Sequence, residues 1–285
     1  MGSENIRKRR TLRATAWSAG VALLVLAVCP WIGQTVDPGR VMARQSPDFE
    51  ILFELRLTRT VLGMIAGACL SLAGVLFQAL LRDALATPYT LGVSSAAALG
   101  AVLAIVCNWD QVLGFPAVWG SALLVAGAVL WLVIALAARG TRLSTFTLLL
   151  VGITINSICA ALILLLHSVA SLSRSFAVTR WLMGALDSVS YQTLGWLAAG
   201  VAVPVLVILR YSRQWNLMTF GEVWAAGRGA SPRRLLFIGY VSGSILAASV
   251  TALTGPIGFV GLIVPHMLRR VLGADHRILM PCSLL

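Results

Sequence analysis

Residues 255–270 read GPIGFVGLIVPHMLRR, an apolar stretch that contains two prolines and ends in two arginines. Pro265 has no backbone N–H, so within a helix it cannot donate a hydrogen bond to the carbonyl of Gly261. A free carbonyl in a membrane is tolerated only where neighbouring helices or a water-filled path satisfy it. The stretch therefore indicates either an element of a transport pathway or a proline-kinked packing helix.

The rest of the chain is equally apolar, with 59% hydrophobic and 11% charged residues. This composition excludes an ordinary soluble domain. A helix needs about 20 residues to cross a ~30 Å hydrocarbon core. Runs of that kind predict spans at 16–36, 60–81, 90–107, 115–138, 145–169, 192–209 and 235–254, a shorter run at 256–272, and an apolar start at 278–285. We therefore predict an all-α, polytopic membrane helix bundle.

The net charge of +12 is unevenly distributed along the chain. Sixteen of the 22 basic residues fall in the N-terminal tail and in alternate loops on the same side, and six fall on the other side. This is the positive-inside pattern, which predicts a cytoplasmic N-terminus. We therefore expect no nucleic-acid partner. Residues 1–15 form the predicted cytoplasmic basic tail, and residues 16–285 form one transmembrane domain.

Catalytic and metal-binding groups are scarce. Lys8 is the single lysine, so the chain lacks the phosphate-binding lysine of a P-loop and cannot hydrolyse ATP itself. Asp275 and His276 are too few ligands for a metal site. Five cysteines are scattered without metal-ligand spacing: Cys29, Cys69, Cys107, Cys159 and Cys282. We predict that the chain is not an enzyme and binds no metal.

A short helix is predicted at residues 220–228, because Thr219 and Glu222 have the spacing of a capping box. About nine residues cannot cross a bilayer, so this helix should lie at the cytoplasmic surface. One of its faces would carry Phe220, Val223 and Trp224. An exposed apolar face favours a protein partner, although it would also be compatible with packing against the bundle.

Three stretches together resemble the permease subunits of FecCD-type ABC importers, which serve iron-siderophores, haem and vitamin B12. The first covers 56–100 and begins RLTRTVLG, the second is GEVWAAG at 221–227, and the third is GPIGFVGLIVPHMLRRVLGADHRILMP at 255–281. Their order and spacing match over residues 15–285. After Arg82 the family commonly has Asn-Pro, whereas this chain has Asp83-Ala84.

The resemblance implies the type II ABC importer permease fold, with ten transmembrane helices per subunit. About eight helices and the start of a ninth are expected here, so the permease domain 16–285 would be incomplete at its C-terminus. The implied complex lies in the bacterial cytoplasmic membrane. It has a second permease copy (as a homodimer or heterodimer), cytoplasmic ABC ATPase subunits that hold ATP and Mg²⁺, and a periplasmic or lipoprotein substrate-binding protein. No cofactor bound by this chain is implied.

The resemblance also implies roles for individual residues. Arg56 and Arg59 would receive glutamates of the binding protein, although arginines at a helix end also snorkel to headgroups. The coupling segment 215–232 would seat in the ATPase through Gly221, Glu222, Ala225, Ala226 and Gly227, where Glu222 caps the helix or pairs with the partner. Ser144 and Thr145 lie near the family's cytoplasmic gate, or are ordinary helix caps.

Polar residues within the spans should face the bundle interior. For Gln78, Asn156 and His167 we favour hydrogen bonds between helices over lining the translocation path. The third stretch carries the family motif residues Gly258, Gly261, Pro265, His266 and Arg269, for which we favour a structural kink over substrate contact.

The predicted function is the permease subunit of an ATP-driven importer that carries an iron(III)-siderophore, with haem or vitamin B12 as the alternative cargo. An ion-coupled secondary transporter is the alternative from another class, and it would need acidic residues at mid-membrane. Asp83, Asp187 and Glu222 instead map to loops or helix ends. A non-transporting fragment is the third alternative.

Overall fold

The structure, a computed structural model, describes residues 2–33, 36–109, 115–138 and 145–285. These residues form helices and no strand. The helices are α1 Gly2–Val28, α2 Pro38–Met42, α3 Asp48–Glu50, α4 Thr58–Leu81, α5 Val93–Val106, α6 Phe115–Ala138, α7 Thr145–Val169, α8 Leu172–Leu182, α9 Tyr191–Arg210, α10 Ser212–Thr219, α11 Glu222–Gly227, α12 Pro232–Thr254, α13 Val260–Leu272 and α14 His276–Ser283. A 3₁₀ turn, Cys29–Trp31, follows α1, and a π-helical turn, Ile51–Leu57, leads into α4.

Six helical stretches among the described residues are long and apolar enough to cross a membrane, which confirms the predicted all-α bundle. They are Ala14–Trp31, Asp48–Leu81, Ala117–Leu136, Thr145–Val169, Tyr191–Arg210 and Pro232–Thr254. The stretches that contain α12 and α4 are 78% and 61% buried, against 28% for those of α6, α7 and α9. The core of the bundle is therefore built around α4 and α12. We call the end of the bundle that carries α10 and α11 the α11 end, and the opposite one the far end.

Two of the predicted crossings contain only a half-length helix. At 1.5 Å per residue, α5 and α13 each rise about 20 Å, which is less than the hydrocarbon core. A non-helical segment precedes each of them, 82–92 before α5 and 255–259 before α13. Leu91 lies against Gly152, which is about 10 Å beyond the start of α7. The first non-helical segment therefore runs inside the bundle.

Non-helical backbone at this depth must find its hydrogen-bond partners within the protein. Two tyrosine hydroxyls supply donors for two of the carbonyls. The hydroxyl of Tyr240, on α12, donates to the carbonyl of Leu91 over 3.2 Å. The hydroxyl of Tyr89 donates to the carbonyl of Ile257 over 2.8 Å. The second bond joins the two non-helical segments directly to each other.

We call segment 82–92 with α5 the first broken crossing, and segment 255–259 with α13 the second broken crossing. The second broken crossing is held against the middle of α4. Pro265 is buried within α13, so the carbonyl of Gly261 cannot receive the usual helical hydrogen bond from it. This carbonyl lies against Gly74 of α4, and a methyl group at Gly74 would overlap it. The carbonyl of Leu70, also on α4, and the ring of Pro88 lie close to Gly261 as well. Glycine is required at Gly74 because two backbones meet there.

We expect Gly74→Ala to lower the thermal stability of the detergent-purified protein, because overpacking a close contact typically costs about 1–3 kcal/mol. Gly67→Ala on the same helix is the matched control, since a methyl group there would have no neighbour within 4 Å. The control should gain helix propensity and lose no stability. Unfolding can be followed by intrinsic fluorescence, and equal midpoints for the two variants would contradict this packing.

Candidate functional site

The segment between α9 and α12 forms two short helices: α11, Glu222–Gly227, lies within the predicted helix at 220–228, and α10, Ser212–Thr219, was not predicted. Gly221, which separates α10 from α11, has φ of +112°, a conformation that favours glycine. The predicted capping box is wrong, because the Thr219 hydroxyl donates to the carbonyl of Asn216 over 2.8 Å and Gly221 occupies the N-cap of α11. The chain therefore turns sharply between α10 and α11.

The apolar face predicted for this segment is exposed. Phe220 and Val223 are 71% and 90% exposed, and Trp224 is 39% exposed. The rings of Phe220 and Trp224 lie 4.8 Å apart, and the guanidinium of Arg228 lies 4.2 Å from the centre of the Trp224 ring. Such a cation–π contact also holds the tryptophan in place. We call Phe220, Val223, Trp224 and Arg228 the α11 face.

The small residues assigned to ATPase coupling are divided between two surfaces. Ala225 is completely buried, and its carbonyl accepts a hydrogen bond of 3.1 Å from the amide of Ala230. Ala226 and Gly227 are exposed beside the α11 face. Ala225 therefore packs against the bundle instead of facing outward, and Ala226 and Gly227 are the ones that a partner can approach closely.

Glu222 joins α11 to two long helices. Its Oε1 accepts a hydrogen bond of 2.9 Å from the hydroxyl of Thr145, the first residue of α7. The same oxygen lies 3.8 Å from Nη2 of Arg82, at the C-terminal end of α4. The side chains of this ion pair are 42% and 33% exposed, so it contributes at most about 1 kcal/mol, and the hydrogen bond is the firmer contact. Glu222 thus has partners within the chain, and no side-chain cap of α11 forms.

The polar residues predicted within the spans have different surroundings. Asn156 of α7 accepts a hydrogen bond from the hydroxyl of Ser95 on α5, which is the inter-helix contact that we favoured. His167 Nε2 lies 3.1 Å from the hydroxyl of Thr179 on α8. Gln78 is buried, and its amide has no partner among the described residues. Ser144 lies outside the described residues.

The two arginines predicted to dock a binding protein lie at the far end. Arg56 belongs to the π-helical turn and is half-buried, with Nη1 donating to the carbonyl of Pro30 over 3.3 Å. Arg59 is exposed and borders an apolar groove between α1, α4 and α13. Arg56 therefore also ties the end of α1 to the start of α4, whereas Arg59 presents its charge outward.

The motif residues of the third stretch are divided between buried and exposed positions. Gly261 and Pro265 are buried in the contact with α4, and Arg269 is half-buried. Gly258 and His266 are exposed. The structure therefore brings only part of this motif into the packing of the bundle.

Residues 17–285 match the FecCD transport family. The chain belongs to this family. It is accordingly a multi-pass membrane protein and the permease subunit of an ABC importer of FecCD type, and in such importers a separate subunit hydrolyses ATP. The resemblance of the three sequence stretches is thereby confirmed.

Two relatives and one solved structure illustrate the range of the family. A cobalamin import permease, BtuC of Halobacterium salinarum, is 36% identical over 90% of this chain and 69% of its own length. A molybdate import permease, MolB of Haemophilus influenzae, is 30% identical over 94% of this chain and 79% of its own length. A metal-chelate type ABC transporter, solved in an inward-facing conformation, superposes with a TM-score of 0.85 and is 25% identical. The match covers 95% of this chain and 85% of that chain.

The contact between Glu222 and Thr145 predicts that the stability losses of mutants at the two positions are not additive. Glu222→Ala and Thr145→Val should each destabilise the detergent-purified protein by about 0.5–1.5 kcal/mol, and the double variant should lose little more than either single one. Glu222→Gln keeps an acceptor for Thr145 and should cost less than Glu222→Ala. Chemical denaturation measures these differences.

Thr154→Val is the matched control on α7, because the Thr154 hydroxyl donates to a carbonyl of its own helix, that of Leu150. Its effect should add to that of Glu222→Ala. Additive losses for Thr145→Val and Glu222→Ala would show that the two side chains do not interact.

Proposed function

We propose that this chain is the permease of an ATP-driven importer for an iron(III)-siderophore in the bacterial cytoplasmic membrane. The observation that carries the ATP-driven permease is an exposed apolar helix, α11, whose Glu222 is tied to α4 and α7. The siderophore as cargo is supported by the structural similarity to a metal-chelate type ABC transporter. A partner that binds the α11 face would pull on two transmembrane helices through that contact. Cobalamin is the second candidate cargo, because a relative named for cobalamin import is 36% identical.

A cytoplasmic ABC ATPase is the partner that this proposal assigns to the α11 face. Aromatic and arginine side chains are enriched at the energetic centres of protein interfaces. The positive-inside pattern supports a cytoplasmic position for α10 and α11, where ATP is available. ATP and Mg²⁺ are then held by the partner, and this chain contributes the moving helices. A second permease copy would complete the central pathway.

The far end would receive a substrate-binding protein in the same proposal. Arg59 offers an exposed charge there, and carboxylates of the binding protein are its complement. Contacts of this kind mainly set the docking orientation and the association rate. The cargo would enter from that protein into the pathway between the two permease copies.

An ion-coupled secondary transporter is less well supported. Such a transporter carries ionisable acidic residues at mid-membrane. The acidic residues whose side chains the structure describes lie in loops, in short helices or in the π-helical turn: Asp37, Asp48, Glu50, Glu54, Asp83, Asp187, Glu222 and Asp275. Within the described part of the chain, no long helix carries a carboxylate at its centre.

The α11 face can be tested with Val223→Arg in proteoliposomes that contain the permease, its ATPase and its binding protein. Placing an unpaired charge in an apolar contact should weaken ATPase binding at least about tenfold, which is about 1.4 kcal/mol. ATP-dependent uptake of radiolabelled ferric siderophore should fall with it, and cobalamin is assayed in parallel.

Gln214→Arg, at an exposed position of α10, is the control and should retain both binding and uptake. Normal ATPase binding by Val223→Arg would reject the assigned surface. Uptake driven by an ion gradient with a catalytically dead ATPase would reject the transporter class, and uptake of cobalamin alone would reject the siderophore.

The far-end surface is tested with Arg59→Glu. We expect slower association of the binding protein, by about an order of magnitude at low salt, because a repulsive charge replaces an attractive one. The difference should shrink as salt screens the charges. Arg59→Lys keeps the positive charge and should resemble the wild type in surface plasmon resonance. An unchanged association rate for Arg59→Glu would exclude Arg59 from the docking surface.

A further inference from the structure

A second polar cluster lies at the α11 end, away from Glu222. It joins Asn216, in the middle of α10, to Asp275 and His276 at the start of α14. Asn216 Nδ2 donates to Asp275 Oδ1 over 2.7 Å, and Asn216 Oδ1 accepts from the backbone N–H of His276 over 3.0 Å. The ring Nδ1 of His276 lies 2.7 Å from the same Oδ1. Asp275 Oδ1 also caps α14 by accepting from the amide of Arg277.

The partners fix the orientation of each group. A backbone N–H can only donate, so the Asn216 atom that faces the amide of His276 is the oxygen. The amide nitrogen then faces the carboxylate of Asp275, where a charge-assisted hydrogen bond forms. Because Asn216 Oδ1 is an acceptor, Nδ1 of His276 carries the proton. Both the oxygen and the nitrogen of the Asn216 amide are thus bonded to residues that lie about sixty positions later in the sequence.

The environment of His276 favours one uncharged state. The residue is 2% exposed, and burial, followed by the charge of Arg269, lowers the pKa of His276 to about 4. Asp275 opposes this shift. At neutral pH the imidazole is therefore neutral, with its single proton on Nδ1. A neutral ring with a fixed tautomer gives a contact of defined geometry between α10 and α14.

Asn216 sits where α10 can transmit movement. Trp215 and Met218, on either side of it, are buried, and Trp215 Nε1 donates to the carbonyl of Ile208 near the end of α9 over 2.8 Å. Only Phe220 and Gly221 separate α10 from α11. Residues 273–275 form the connection between α13, the second half-length helix, and α14. The cluster therefore links the helix before α11 to the broken crossing.

We propose that Asn216 is a positioning residue for energy coupling, which makes α10 and the turn between α13 and α14 move as one body when the ATPase displaces α11. This inference rests on the proposed function. Glu222 carries the movement of α11 to α4 and α7, and Asn216 carries it to α13 and α14. A cluster with a merely structural role would stabilise the fold without affecting how much cargo moves for each ATP hydrolysed.

The test uses the complete complex in proteoliposomes, with uptake and ATP hydrolysis measured in the same sample. Asn216→Ala removes the bonds to Asp275 and His276. The ratio of ferric siderophore, or cobalamin, taken up to ATP hydrolysed should fall at least about fivefold, the lower end of typical coupling effects. Gln214→Ala, at an exposed position on the same helix, should keep the wild-type ratio.

Two substitutions at His276 give an independent comparison, also in the case that Asn216→Ala fails to assemble. His276→Asn keeps an N–H donor at the position of Nδ1 and should retain most of the ratio. His276→Leu removes that donor but leaves the other two bonds of Asn216, so it should lower the ratio below that of His276→Asn and less than Asn216→Ala does. Equal ratios for the two His276 variants would overturn the inference, as would a parallel fall of uptake and hydrolysis, with an unchanged ratio, in an assembled Asn216→Ala complex. Absence of ATP-driven uptake by the wild type would instead reject the proposed function.

Discussion

Backbone groups that leave helical hydrogen bonding inside a membrane bundle must find partners within the protein, and this constraint shapes the chain. The segments 82–92 and 255–259 are non-helical, and the first of them runs inside the bundle. Tyr240 and Tyr89 provide hydroxyl donors for their carbonyls. Gly74 allows the broken crossing at Gly261 to lie against α4. Half-length helices α5 and α13 exist because the core around α4 and α12 accommodates these interruptions.

The same helix, α4, connects this core to the α11 end. Its middle contacts Gly261, and Arg82 at its C-terminal end lies beside Glu222 of α11. Glu222 also holds the start of α7, and Asn216 holds the start of α14. A force applied to the α11 face would therefore reach both the first and the second broken crossing. Packed elements with defined contacts shift between discrete arrangements, which is the behaviour that alternating access requires.

The sequence predicts the fold class and most of the membrane spans, because long apolar runs are a strong signal for transmembrane helices. The run 145–169 coincides with α7, and 60–81 differs from α4 by two residues. The run 256–272 was predicted to be short, but the interruption before α5 was not predicted, since an apolar run does not reveal which of its residues are helical. The short helix predicted at 220–228 corresponds to α11, whereas α10 was not predicted. The expected cap is absent because Gly221, with a positive φ, occupies the N-cap position of α11. The contacts of Glu222 with Thr145 and of Asn216 with His276 join positions 77 and 60 residues apart, which a single sequence does not pair.

The most direct test of the central claim is the distance between α11 and α7 during the ATPase cycle. Spin labels at Ala226 and Phe146, both exposed, would report it by double electron–electron resonance in a transport-competent complex. If Glu222 transmits the movement of α11 to α7, the distance should be the same without nucleotide and with ATP bound. A change approaching one helical turn, about 5 Å, would show that α11 moves independently of α7 and would contradict the account.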